Sequence, residues 1–176
     1  MFVLQELMNF DSFWSFWFWI LHVVTWSMAS HFTMGVPYDL VIQANREEAE
    51  DGPYQHAAEA MINAQIFRFT AMWRRHALLL TGFSAFLISM LATLGTLGRL
   101  EFARALLTIL GPLTLLYVLT IRKALKMERW ALTGAPLRRA IWRQRFVNQL
   151  VGLLAIIMAV ILAIYQAVLS IEVLYW

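Results

Sequence analysis

From Val147 to Ile171 the chain carries no charged side chain, and the stretch from Ala77 to Gly98 carries none either. A helix needs about 20 mostly apolar residues to cross the hydrocarbon of a bilayer, so blocks of this length point to membrane spans. The rest of the sequence agrees. Apolar and aromatic residues make up 61% of the 176 residues and charged residues only 14%, and mean hydropathy is +0.64. A soluble domain of this size would lack the polar surface to cover itself. The length suits one domain with no separate soluble module.

Reading apolar blocks and breakers together predicts an all-α polytopic membrane protein. It is a bundle of about four transmembrane helices over residues 13–36, 77–97, 102–121 and 147–173, with cytoplasmic loops over 37–76 and 122–146. The first span opens on Phe13, Trp14, Phe16, Trp17, Phe18 and Trp19, rings suited to a headgroup-level anchor. No Lys or Arg precedes it, so it reads as a retained span rather than a cleaved signal. Gly35-Val36-Pro37 ends that span. Tyr38 to Asn45 restarts as a short helix, and Arg46 to Gly52 is a charged turn.

Pro53 suits the first position of a new helix, and no strong breaker follows it before Gly95. Ala57, Ala60, Met61, Ala64, Phe67 and Ala71 share one helical face, with Glu59, Asn63 and Arg74 opposite. The second span is therefore expected to rise from a helical cytoplasmic stalk of ~20 residues. In the third span, Gly111 and Pro112 predict a kink and a hinge. Tyr175 and Trp176 are placed for an outer aromatic belt.

Charge sets the orientation. Arg122, Lys123, Lys126, Arg129, Arg138, Arg139, Arg143 and Arg145 face a single acid, Glu128, in the third loop, and Arg68, Arg74 and Arg75 enrich the first. Basic loops stay on the cytoplasmic side, which leaves both termini outside, in the periplasm for a bacterium. Arg122, Lys123, Arg138, Arg139, Arg143 and Arg145 are candidate contacts for anionic lipid. Nucleic acid is not an expected partner.

Chemistry is sparse. The absence of cysteine excludes disulfides, thiolate-held iron–sulfur clusters, cysteine-based zinc sites and cysteine nucleophiles. No Asp, Glu, Lys or Arg lies deep in a predicted span, which argues against an ion-coupled pump or transporter. Ser12, Ser15, Ser27 and Ser30 lack a nucleophile-elbow context, and there is no zinc-protease helix or phosphate-cradling glycine loop. Asp39, His56 and Glu59 read as a solvated stalk. His22 has no partner at its depth. His31 and His76 both approach the cytoplasmic boundary and form the one pair able to make a pH-sensitive or ligand contact. A haem would need that pair; otherwise no cofactor and no metal is expected.

The sharpest pattern is in the last span. Gly152, Ala155, Ala159, Ala163 and Ala167 form a small-residue stripe at helical spacing, a helix-packing interface where another backbone can approach closely.

Two stretches resemble known families. Trp26-Ser27-Met28-Ala29-Ser30-His31 followed by Gly35-Val36-Pro37-Tyr38-Asp39 resembles small alphaproteobacterial inner-membrane proteins labelled component of SufBCD complex, over roughly the first quarter. The label implies iron–sulfur assembly, yet a cysteine-free chain cannot hold a cluster by thiolates. The middle of the chain resembles the uncharacterised four-span bacterial and plant family with domain of unknown function 599. Asn63-Ala64-Gln65-Ile66, Leu91-Ala92-Thr93-Leu94-Gly95 and Gly134-Ala135-Pro136 carry that likeness, with Asn63 where the family pattern begins on Asp. Neither resemblance implies an activity. The functional expectation is a non-enzymatic, multi-pass inner-membrane protein acting through helix association. It would serve as an accessory or scaffold subunit, with the bilayer, other subunits or its own copies as partners. The rivals are a small homo-oligomeric channel or transporter, with Ser84, Ser89, Thr93, Thr108 and Thr114 as pore-lining candidates, and a haem- or quinone-binding redox subunit.

Overall fold

A computed structural model describes residues 16–47 and 52–174, with side chains as far as Val168. Phe13 and Trp14 of the aromatic cluster, residues 48–51 of the charged turn, and Tyr175 and Trp176 lie outside the described residues.

Among the described residues the chain is helical apart from short turns and one small hairpin. Helix α1 (Phe16–His31) leads into β1 (Phe32–Thr33) and β2 (Val36–Pro37), followed by α2 (Tyr38–Arg46), α3 (Pro53–Thr96), α4 (Glu101–Arg129) and α5 (Gly134–Leu174). Three of these, α3, α4 and α5, are long and apolar enough to cross a membrane.

The first helix ends at His31, earlier than the expected boundary at residue 36. The cause is local. Met34 and Gly35 both adopt positive φ, 56° and 77°, the geometry of a two-residue hairpin turn. Thr33 then pairs with Val36 and Phe32 with Pro37. The turn is buried against α3, where the Gln65 amide nitrogen donates to the Gly35 carbonyl at 3.5 Å. The short helix expected after Pro37 is α2.

Helix α3 starts as its sequence predicts, with Gly52 as N-cap and Pro53 in the first turn. Glu47 completes the start: its carboxylate accepts the Gln55 backbone N–H at 3.1 Å, satisfying a donor that the helix leaves open. The helix is hydrogen-bonded to Thr96, with one non-helical residue, His76 (φ −126°, ψ 16°). Its buried face differs from the predicted one. Ala58, Ile62, Ile66 and Thr70 are buried, whereas Phe67 is 70% exposed. The two stripes are adjacent, and size decides between them. Branched Ile62 and Ile66 remove more apolar area from water than the alanines of the neighbouring row.

Helices α3 and α4 form an antiparallel hairpin. At its turn the N–H groups of Leu97 and Gly98 donate to the Thr93 carbonyl at 2.9 and 3.2 Å, and Arg104 Nε donates to the carbonyl of buried Gly95. At the other end Arg74 meets Glu128 at 2.7 Å, and Thr70 Oγ1 donates to the same carboxylate at 3.2 Å. Between Thr70 and Leu91 no residue of α3 is buried, so α3 is left open between its two anchor points.

The expected loop over 122–146 is mostly helix. Helix α4 continues to Arg129 and α5 begins at Gly134, leaving only a turn at Trp130–Thr133. Apolar content ends near Ile121, but the helical ladder does not, because the extensions pack on α3. The expected hinge at Gly111 and Pro112 lies inside unbroken α4; the non-helical residue is His76. A proline removes one ladder bond, which a long packed helix tolerates.

Among the described residues three apolar clusters hold the helices together. One forms a head at the basic end, where Met34, Val36, Val41, Ile62, Ile66, Ala124, Met127, Leu137, Ala140 and Ile141 bury one another. The other two run along α5: Phe18, Ala105, Ile109 and Ala159 in one, Trp26, Leu116, Val151 and Ala155 in the other.

Candidate functional site

The α4–α5 turn builds the most distinctive surface feature. Ala131 and Gly134 adopt positive φ, 44° and 55°. The N–H of Ala131 donates to Glu128 and that of Leu132 to Met127, at 3.0 and 3.3 Å. Glu59 of α3 accepts the Gly134 N–H at 3.1 Å and so ties the turn to the head. Beyond Gly134, Pro136 sits in the first turn of α5, where its missing N–H costs nothing.

The two helices leaving this turn enclose a cavity of about 270 Å³. Lys123, Lys126, Met127 and Trp130 line it from α4; Pro136, Arg139, Ala140 and Arg143 line it from α5, and Leu132 closes it at the turn. Four side chains in the lining are cationic and none is acidic. Lys126 Nζ lies 4.3 Å from the Trp130 ring centroid, a cation–π pair. The Lys123 ammonium is held below the ordinary lysine range, first by partial burial and then by the charges of Arg143 and Lys126. Glu128, the one acid between Lys123 and Arg143, is engaged by Arg74 and Thr70 on the side facing α3.

The six basic residues singled out from sequence therefore separate into groups. Lys123, Arg139 and Arg143 line the cavity. Arg138 donates to Asn45 Oδ1 at 2.8 Å, and the Arg145 guanidinium stacks 3.7 Å from the Tyr38 ring centroid; both pin α2 to α5. Arg122 is exposed on α4. Lys126 and Trp130 join the site without having been singled out. Their signal was legible as spacing: Lys123, Lys126 and Trp130 repeat the intervals of Pro136, Arg139 and Arg143.

The small-residue stripe faces inward along much of its length. Ala155 and Ala159 are 1% and 0% exposed. A Cβ on Gly152 would stand 3.0 to 3.3 Å from ring carbons of Trp26. Ala163 packs at the edge of the Phe18–Ile109 cluster, and Ala167 is half-buried. Next to the stripe is a buried polar chain. Asn148 Nδ2 donates to the Ala29 carbonyl at 2.8 Å, and Gln144 Nε2 donates to Asn148 Oδ1 and Thr120 Oγ1 at 3.2 and 3.4 Å. Ala29 lies in the last turn of α1, whose carbonyls lack intrahelical partners. Asn148 thus caps α1 from α5.

The histidines are placed separately. His31 is exposed, with Nε2 4.0 Å from Asp39. His76 is exposed at the irregular residue of α3. His22 is fully buried against Phe18 and Trp19, with ring centroids 4.9 and 6.2 Å away. Among the described residues no three of His, Asp and Glu gather as a metal site would require. Of the hydroxyls considered for a pore, Thr108 is buried and donates to the Ala105 carbonyl, and Thr114 donates to Leu110, each at 2.7 Å.

No family model matches the sequence, and no curated protein or solved structure matches it. The fold itself defines the class: an all-helical chain with three helices suited by length and composition to cross a membrane. Its best-formed polar feature is a cationic cavity at the α4–α5 turn.

Proposed function

We propose that the chain is a four-span inner-membrane protein that acts without catalysis, through helix association, as an accessory or scaffold subunit or as a self-oligomer. Helix α1 supplies the first span, and the segment Pro53–Arg75 of α3 is the stalk, folded with α2 and the α4–α5 hairpin into a cytoplasmic head. The clustering of Arg and Lys at the head end supports this orientation, with both termini periplasmic.

One observation carries the association reading. Only 6% of the most apolar window of α3 is buried within the chain, against 28% for α4 and 22% for α5. Leu78, Leu79, Phe83 and Phe86 are 63–88% exposed. The small-residue stripe of α5, by contrast, is largely covered by α1 and α4, so the surface left for a partner is on α3. Packing in lipid depends on close contact between helices, and a largely unburied helix offers the surface for it.

The test uses the cysteine-free background. Phe86→Cys, on α3, and Ile164→Cys, on the outer face of α5, are oxidised separately in native membranes. Phe86→Cys is expected to give a crosslinked dimer, or an adduct of fixed mass with one other membrane protein when a bifunctional thiol–amine reagent is used. Ile164→Cys should give neither. A chain that stays monomeric in mild detergent and uncrosslinked at Phe86→Cys would end the reading. A symmetric ring with α3 on the axis would favour the channel rival, because Ser89 and Thr93 are exposed on the same segment.

A further inference from the structure

The cavity at the α4–α5 turn has the chemistry of an anion receptor. Four cations converge on it from two helices, and its lining contains no carboxylate to neutralise them. The nearest acid in sequence, Glu128, is drawn to the opposite side of α4 by Arg74 at 2.7 Å. Crowding like charges is unfavourable unless an anion joins them. The arginines bring planar forks suited to bidentate contact with phosphate oxygens, and the lysines bring compact point charges. The floor is rigid, because Met127 and Ala140 belong to the head core.

Position favours a lipid source for that anion. Apolar sequence in α4 ends at Ile121, and Lys123 and Lys126 follow within two turns. If the apolar length of α4 occupies hydrocarbon, the cavity lies at headgroup level. Trp130, 60% exposed at its rim, is the ring type enriched at that level.

We propose that this cavity is a phosphate-anion site that seats the headgroup of an anionic phospholipid. Arg139 and Arg143 grip the phosphate oxygens, Lys123 and Lys126 neutralise the charge, and Trp130 rests on the glycerol edge. The proposal rests on the membrane reading above and extends it to a specific lipid contact.

The experiment uses the full chain purified in a neutral detergent. Binding of short-chain phosphatidylglycerol, of phosphatidylcholine with the same chains and of inorganic phosphate is measured by thermal shift and by native mass spectrometry. Two double variants remove equal charge: Arg139→Gln with Arg143→Gln inside the cavity, and Arg122→Gln with Arg129→Gln on the exposed face of α4. The parent is expected to bind phosphatidylglycerol at least tenfold more tightly than phosphatidylcholine. The cavity variant should lose about that factor, and the outer variant less than about threefold. Tighter binding of inorganic phosphate than of phosphatidylglycerol, with the same dependence on the cavity arginines, would uphold the anion site and name a soluble source. Equal losses in the two variants, or no preference for anionic lipid, would overturn the site in favour of diffuse surface charge. Should the cavity variant misfold, Arg139→Lys with Arg143→Lys keeps the charge; an unchanged affinity there would remove the bidentate contact from the proposal. A parent chain that inserts normally yet shows no preference for anionic lipid separates failure of this site from failure of the membrane reading.

Discussion

Exchanging glycine for alanine at two positions isolates the cost of one methyl group at the α1–α5 contact. Gly152 and Gly82 both lie inside long helices within apolar sequence. At Gly82 a Cβ meets nothing within 4 Å; at Gly152 it meets Trp26 at 3.0, 3.1 and 3.3 Å. Both changes gain the helix-forming advantage of alanine, ~1 kcal/mol. Only Gly152→Ala must also push back the indole, and Trp26 is 5% exposed and wedged among Leu116, Val151 and Ala155. Overpacking of that kind costs ~1–3 kcal/mol. The propensity gain cancels in the comparison, so the expected gap between the two variants is that steric cost alone. Gly82→Ala should be neutral or stabilising, and Gly152→Ala should come out lower by ~1–3 kcal/mol in reversible unfolding from mild detergent into a denaturing one. Gly152→Val should widen the gap. Equal stability of the two alanine variants would refute close contact between α5 and Trp26, and with it the claim that the stripe is used within the chain.

Asn148→Leu leaves the Ala29 carbonyl without its partner and takes one of two acceptors from the Gln144 amide, and it should cost ~1–3 kcal/mol in the same assay; a neutral result would mean that α1 does not depend on the cap. For topology, an impermeant thiol reagent applied to intact cells with a permeabilised outer membrane is expected to label Leu97→Cys and spare Thr133→Cys. The reverse pattern would invert the orientation.

The membrane-length helices were legible because absence of charge over such lengths has one common physical cause. The stripe on α5 was legible because small side chains at helical spacing have few other uses in an apolar helix. The head was not. Its helices continue past the apolar sequence, and a polar amphipathic extension of a span cannot be told from a loop by hydropathy. On α3 the periodicity pointed to the face of Ala57, Ala64 and Phe67, and the adjacent face of Ile62 and Ile66 is selected by the partner surface, Ala124, Met127 and Ile141. The hairpin after α1 depends on Met34 at positive φ, an unusual state for a non-glycine residue, and sequence offers no ground to expect it. The basic residues were found as a group but not divided. Which line the cavity, which stack on α2 and which remain exposed is decided by a few degrees of rotation about α4 and α5.

The order of helices in space explains why α3 is left open. Helix α1 packs mainly on α5, α5 on α4 and α4 on α3, with a smaller contact between α3 and α5, so α1 and α3 stand at the two ends of the packing order. The chain achieves this by crossing the head: β1 touches α5, and β2 and α2 lie against the first half of α3. The contacts that anchor α1 lie away from the apolar half of α3, Trp26 on Gly152 and the Ala29 carbonyl on Asn148. The open edge therefore follows from how α1 is anchored. Loosening that anchor, as Gly152→Val or Asn148→Leu would, should also alter crosslinking at Phe86→Cys if α1 then moves to cover α3. Unchanged crosslinking in a destabilised variant would show that the α3 surface is independent of α1 and is occupied from outside the chain.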